Sequence, residues 1–274
     1  MVLPSLSQSK PGGIGMAWAK IQKQYGWFGL WHPEIILLLL IVWVLYEWYR
    51  RAQQAVSFAQ YGSFLAGIGT IYASMGTPLK LLGDAYLLTA HMVQYVLLSM
   101  AVPPLVIFGV PHSIWEWLWQ RKWLNTTFRI ITYPPLALLL FNLVFSGLLY
   151  PAVLDLSLRN TWLYLAAPYG MLITAVAMWW PLMSPLSESP RLSRGASLVY
   201  LFFGLDLMMP ASVYIIDTGR PDYWIYRAAP RLFHLSALAD QQLGGIVMSI
   251  GMLLAYAVAF IAAYAGYDDS HWYE

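Results

Sequence analysis

Few residues in this chain are of a type that could do chemistry, and most fall in its apolar stretches. His91 offers an imidazole, and Met92, Met171, Met178, Met208, Met209 and Met248 offer thioethers. Imidazole with thioether is a ligand set suited to copper. One histidine does not make a site, and methionine is first of all an adaptable packing residue. His91 is therefore the candidate metal ligand, with copper the candidate metal. Asp206 lies in Phe203-Gly-Leu-Asp206-Leu-Met-Met-Pro210, an otherwise apolar run. A carboxyl there is expected to face protein or water. It is either a proton relay or metal ligand, or a paired or protonated group that holds a helix in register. No second carboxylate stands three or four residues away. Asp240-Gln241-Gln242, followed by Gly244-Gly245, opens another apolar run. These polar groups are expected to cap that helix or to contact a partner domain outside the membrane. Glu47 beside Arg50 and Arg51 predicts an interfacial ion pair. His112, His234 and His271 read as solvated residues of loops or tail. There are no cysteines, which excludes disulfides, zinc thiolate sites and copper transfer through this chain's own thiols.

The elements that must position these groups are long and apolar. Hydrophobic residues make up 59% of the 274 positions and charged residues 10%. A soluble domain carries about a quarter charged residues. The mean hydropathy is +0.58, and the chain reads as an all-α integral membrane protein. Seven stretches approach the roughly 20 residues a spanning helix needs, near 33–50, 60–76, 85–109, 130–150, 161–182, 197–216 and 244–266. Backbone groups in lipid need partners within the segment, so these runs should be helical. They lack the alternation of barrel strands. His91 then lies about one turn into the third span.

The net charge of +2 leaves no nucleic-acid footprint. After a polar start at Ser5–Gly13, Trp18, Ile21, Tyr25 and Phe28 alternate with Lys20, Lys23 and Gln24. That spacing predicts a helix lying in the interface with its apolar face in the headgroups. The stretch Ile35–Tyr46 lacks a small-residue cleavage site and is expected to remain as the first span. Arg50 and Arg51, then Arg121, Lys122 and Arg129, then Arg191 and Arg194 alternate so as to share one side of the membrane. The positive-inside rule places that side in the cytoplasm, with the N-terminus outside and the C-terminus in the cytoplasm. Tryptophan and tyrosine cluster at span ends, as amphipathic rings do at headgroup depth. Pro103, Pro104, Pro134, Pro135, Pro168 and Pro210 fall within spans. Each frees a carbonyl and kinks its helix unless a neighbour supplies a donor.

His91-Met92-Val-Gln94-Tyr95-Val-Leu97-Leu98, followed by Pro103-Pro104-Leu-Val-Ile-Phe-Gly109-Val-Pro111, resembles the signature helix of the seven-span CtaG-type cytochrome c oxidase assembly factors. Trp179-Trp180-Pro181 and Asp240-Gln241-Gln242 with Gly244-Gly245 are further matches. The resemblance spans roughly residues 33–266. It implies a bacterial or archaeal cytoplasmic membrane protein that helps place copper in a haem–copper oxidase. It also implies several histidines near the outer face. The first of a pair on span three matches His91, and the second falls at Tyr95. A His-x-Pro at the end of span four falls at Leu149-Tyr150-Pro151. Two histidines at the start of span five fall at Tyr164 and Pro168.

With four implied ligands replaced, the resemblance leaves a framework. The expected organisation is a tail and interfacial helix over 1–32, one seven-helix domain over 33–266, and a short cytoplasmic tail over 267–274. The expected role is a non-catalytic scaffold or accessory subunit packed beside the catalytic subunit of the oxidase. Its partners would be oxidase subunits and membrane lipids, with no resident cofactor. Two other readings stand beside it. In one, copper is handled through a site rebuilt from His91, methionines and Asp206. In the other, the chain is an unrelated transporter, channel or intramembrane enzyme that uses Asp206. Pro103, Pro104, Asp206, Asp240, Gln241 and Gln242 are the structural or partner-facing sites on this reading.

Overall fold

The computed structural model describes residues 14–53, 56–189 and 191–268, which are helical with no strand among them. The polar start, His271 and most of the C-terminal tail lie outside the described residues. Helix α1 (Ile14–Trp31) runs into α2 (Pro33–Gln53) through His32, which takes a positive φ of 39°. Helix α3 (Phe58–Met75) begins with a capping box, in which Ser57 and Gln60 satisfy each other's backbone N–H groups. Thr77 caps the short α4 (Pro78–Ala85), whose first residue is a proline with no N–H to satisfy.

The third apolar stretch is one continuous helical column of three parts: α5 (Leu88–Val96), a π-helical turn (Leu97–Ala101) and α6 (Val102–Gly109). Two short helices, α7 (His112–Trp119) and α8 (Lys122–Ile131), lead to α9 (Pro134–Leu149). The residue before a proline avoids the helical region. Accordingly the chain turns by 79° between Leu124–Ile131 and Pro134–Leu149. Then come α10 (Pro151–Arg159), α11 (Thr161–Met183), α12 (Arg194–Asp217), the single turn α13 (Trp224–Ala228) and the long α14 (Ala237–Asp268).

Five helices among the described residues are long and apolar enough to cross a membrane, or six if the bent pair counts as one span. Seven stretches were expected. The second, α3, is 18 residues long but its glycines and hydroxyls keep it out of that set. The first reaches further back than expected, from Ile21 to Ala52. The N-terminal helix packs partly on protein. Ile21 and Leu30 are buried with Leu81, Ala85, Tyr86 and Leu232, while Phe28 is 75% exposed. Gly26, at φ 66°, breaks α1, so the apolar residues do not form one face and part of them packs on protein.

The core runs the length of the bundle. Helix α14 lies along α12 and α5, α3 lies along α6, and α11 packs on α9 and on the π-helical turn. Met92, Phe141, Phe145, Met171, Met178 and Met248 are fully buried at these contacts. Lipid is as apolar as a leucine side chain, so helix association here depends on close packing and on interhelical hydrogen bonds. Gly109 shows the first: a Cβ there would stand 2.6 Å from the backbone nitrogen of Phe64. The thioethers expected as possible ligands are mostly this packing material, apart from Met209, which is 54% exposed.

Candidate functional site

The polar groups inside the bundle gather at the end where α4 enters α5. Helix α5 has no side-chain cap from its own first residues. Asp240, at the start of α14, supplies one from across the fold. Its carboxylate accepts from the backbone N–H of Leu88 at 2.7 Å and of Thr89 at 3.2 Å, and from the Thr89 hydroxyl at 2.7 Å. This corrects the expectation that Asp240 caps its own helix, where Ser236 receives the Ala239 N–H instead. The two amides are also occupied inside the protein. Gln241 accepts from the Asp222 N–H at 2.9 Å, and Gln242 donates to the Ile216 carbonyl at 3.2 Å. Asp240 and Gln241 are 1% and 2% exposed. They join α14 to α5 and to the end of α12, while Gln242 is half-buried.

Helix α4 folds back onto α5. A Cβ on Gly83 would stand 3.0 Å from the His91 backbone, and the Gly83 carbonyl accepts from the Tyr226 hydroxyl at 2.5 Å. That approach places Lys80 and Asp84, one turn apart on α4, against His91, Gln94 and Tyr95 on α5. Helix α11 contributes Tyr164, Ala167 and Pro168. Between them is a cavity of about 40 Å³, which Met75 also lines.

Its chemistry is that of an ion pair. The Asp84 carboxylate accepts from the Lys80 ammonium at 2.9 Å and from the Tyr164 hydroxyl at 2.6 Å. The ammonium also lies 4.5 Å from the centre of the Tyr164 ring, within cation–π range. Burial opposes the charge on Lys80, but Asp84 and Tyr164 outweigh it and hold the Lys80 pKa above its ordinary value. His91 is 4% exposed, its ring 4.3 Å from that of Tyr95. Neither ring nitrogen of His91 has a hydrogen-bond partner among the described residues.

Four of the positions at which the resemblance implies histidines, His91, Tyr95, Tyr164 and Pro168, converge on this cavity. The fifth, Leu149, does not line it: its side chain is 2% exposed, and its carbonyl accepts from the Tyr223 hydroxyl. Among the described residues no three His, Cys, Asp or Glu side chains are grouped to hold a metal ion. An imidazole cage is therefore not what these residues build. Lys80 and Asp84 were not among the residues the sequence singled out. The signal was there: Thr77-Pro78 marks a helix start, and Lys80 and Asp84 follow it at the i, i+4 spacing that puts two side chains on one face.

The remaining sites lie elsewhere. Pro103 is buried where the π-helical turn meets α6, with Pro104 beside it. Asp206 does not pack inside the bundle. It is exposed on the outer side of α12, while Gly204 and Met208 face the core, and it has no hydrogen-bond or ion-pair partner among the described residues. It does not line the cavity beside His91. On insertion scales an aspartate at the centre of a spanning helix costs about 2.5–3.5 kcal/mol. Glu47 makes its expected pair, with Arg50 at 2.7 Å and Arg51 at 2.9 Å.

In comparisons with known proteins, residues 39–267 match a family described as the cytochrome c oxidase caa3 assembly factor (Caa3_CtaG). No curated protein and no solved structure matches the chain.

Proposed function

Because the chain belongs to the cytochrome c oxidase caa3 assembly factor family, we propose that it supports assembly or structure of a respiratory haem–copper oxidase as a non-catalytic scaffold or accessory subunit. It would sit in a bacterial or archaeal cytoplasmic membrane, with seven spans, the N-terminus outside and the C-terminus in the cytoplasm. It would pack beside the catalytic subunit.

The observation that favours a scaffold is the cavity. Tyr95, Tyr164 and Pro168 stand where the resemblance implies imidazoles, and Lys80 and Asp84 form a salt bridge among them. A partly buried ammonium repels an entering cation, and its carboxylate partner is already engaged. Cuprous copper prefers thiolate, thioether or imidazole ligands, of which the lining offers His91 and Met75. What the fold conserves under this reading is shape, held by Asp240 across α5 and α14.

Purification in mild detergent with mass spectrometry tests the proposal. Oxidase subunits and haem are expected to accompany the chain. Recovery of intact, active oxidase from cells lacking the chain, with none co-purifying from cells that have it, would overturn it.

One observation favours a second reading, in which the chain hands copper to the oxidase. The two buried, unpartnered nitrogens of His91 lie beside the cavity that Met75 also lines. Titration with cuprous ion separates the two readings. Tight binding that vanishes in His91→Ala supports copper handling, and no saturable binding supports the scaffold.

A further inference from the structure

Asp206 sits near the centre of α12, with twelve residues back to Arg194 and eleven on to Asp217. At 1.5 Å per residue, it lies roughly 16–18 Å from either end. An aspartate side chain is too short to reach water from that depth. Its neighbours on the exposed stripe are Val199, Phe202, Met209 and Val213, at 56%, 65%, 54% and 56% exposure. None of them can donate a hydrogen bond. Pro210, one turn on, has no N–H, so the Asp206 carbonyl also loses its usual helical donor. Two acceptors of one residue are thus left short of donors on a face that lipid tails cannot serve.

We propose that this face of α12 docks a transmembrane helix of the oxidase that brings a nitrogen donor, from arginine, lysine or histidine, to the depth of Asp206. The inference rests on the scaffold reading above and names the surface through which it operates. Charge complementarity selects the occupant. A lipid or a wholly apolar helix leaves the carboxyl unanswered. A second copy related by a two-fold axis would offer only another Asp206 carboxyl among apolar side chains, and no nitrogen donor.

The test uses the full chain in membranes that contain the oxidase. Asp206→Leu is expected to lower the oxidase recovered with the chain at least tenfold. Asp206→Asn, which keeps an acceptor, should lower it less. Because Asp206 has no partner within the described chain, the thermal midpoint of Asp206→Leu in detergent should equal or exceed that of the wild type, which excludes misfolding as the cause. A benzoylphenylalanine placed at Phe202 should cross-link to an oxidase subunit, and one placed at Leu37 on α2 should not. Undiminished recovery with Asp206→Leu overturns this inference and leaves the scaffold reading standing. A cross-link from Phe202 to a second copy of the chain, or to lipid alone, also overturns it. Absence of oxidase from the wild-type preparation sinks both.

Discussion

Trp179 donates its indole N–H to the backbone carbonyl of Ser99 at 3.0 Å. In an α-helix that carbonyl would accept from residue 103, and in a π-helical turn from residue 104. Both are proline and neither has an N–H. The Pro103-Pro104 pair therefore strips Ser99 of its donor in either register, and α11 replaces it. Two motifs 80 positions apart are halves of one hydrogen-bond account.

Trp179→Phe removes the replacement donor and leaves a buried carbonyl unmet, a loss of about 1–3 kcal/mol, read as a lower thermal midpoint in detergent. Pro103→Ala returns an N–H to residue 103. In that background the same Trp179→Phe change is expected to cost less. A double-mutant cycle gives the coupling, and a coupling of zero would show that the two motifs act independently.

Asp240→Ala takes three hydrogen bonds from the start of α5. Bonds to a charged acceptor contribute about 1.5–3 kcal/mol, so destabilisation of that size is expected. The change should be local as well as global. Hydrogen exchange at the Leu88 to His91 amides should accelerate more than at the opposite end of α14, and uniform acceleration would contradict the capping role.

Lys80→Met breaks a partly buried pair and leaves Asp84 with only the Tyr164 hydroxyl, a loss expected to fall below the about 3–5 kcal/mol of a fully buried pair. The double change Lys80→Met with Asp84→Leu removes both charges and should be milder than Lys80→Met alone. If the double variant is the worse of the two, the pair is not what stabilises the α4 to α11 contact.

The pH dependence of that contact follows from the direction of the Lys80 shift. Its folded pKa is raised, so folding favours the protonated form. The contribution is complete below the unfolded lysine value of about 10.4 and is lost as pH rises through the higher folded value. The gap in thermal midpoint between wild type and Lys80→Met should be level from pH 7 to about pH 10 and shrink beyond it. A gap that closes below pH 9 would rule out a raised lysine.

His91→Leu exchanges a buried ring with two unpartnered nitrogens for an apolar side chain. Such an exchange is near neutral or stabilising when no partner is lost. The metal-free variant should melt at or above the wild-type temperature. A clear loss of stability without metal would reveal a partner for His91 in the folded protein.

The helical membrane class was legible in the amino-acid sequence because it follows from composition and run length. Any apolar segment of sufficient length must satisfy its own backbone in lipid, and that constraint needs no tertiary information. The α8 to α9 bend and the interruption before α6 were also marked, since proline acts on its own helix. The Glu47 pair was legible for the same reason: its partners lie within one turn.

What the sequence could not decide was the destination of polar groups whose partners are distant in the chain. Asp240 had a plausible role at its own helix start, yet its carboxylate serves Leu88 and Thr89, more than 150 positions away. Lys80 gains its role only because α4 folds against α5 and α11, which makes it part of the wall of a cavity. Asp206 was expected to face protein or water because charge in lipid is costly, and the packing of Gly204 and Met208 decides that it stands on the outer side of α12. Run length and proline position are properties of a segment and can be read from it. Which face of a helix meets which neighbour depends on how all the helices fill space together, and only the tertiary structure settles that.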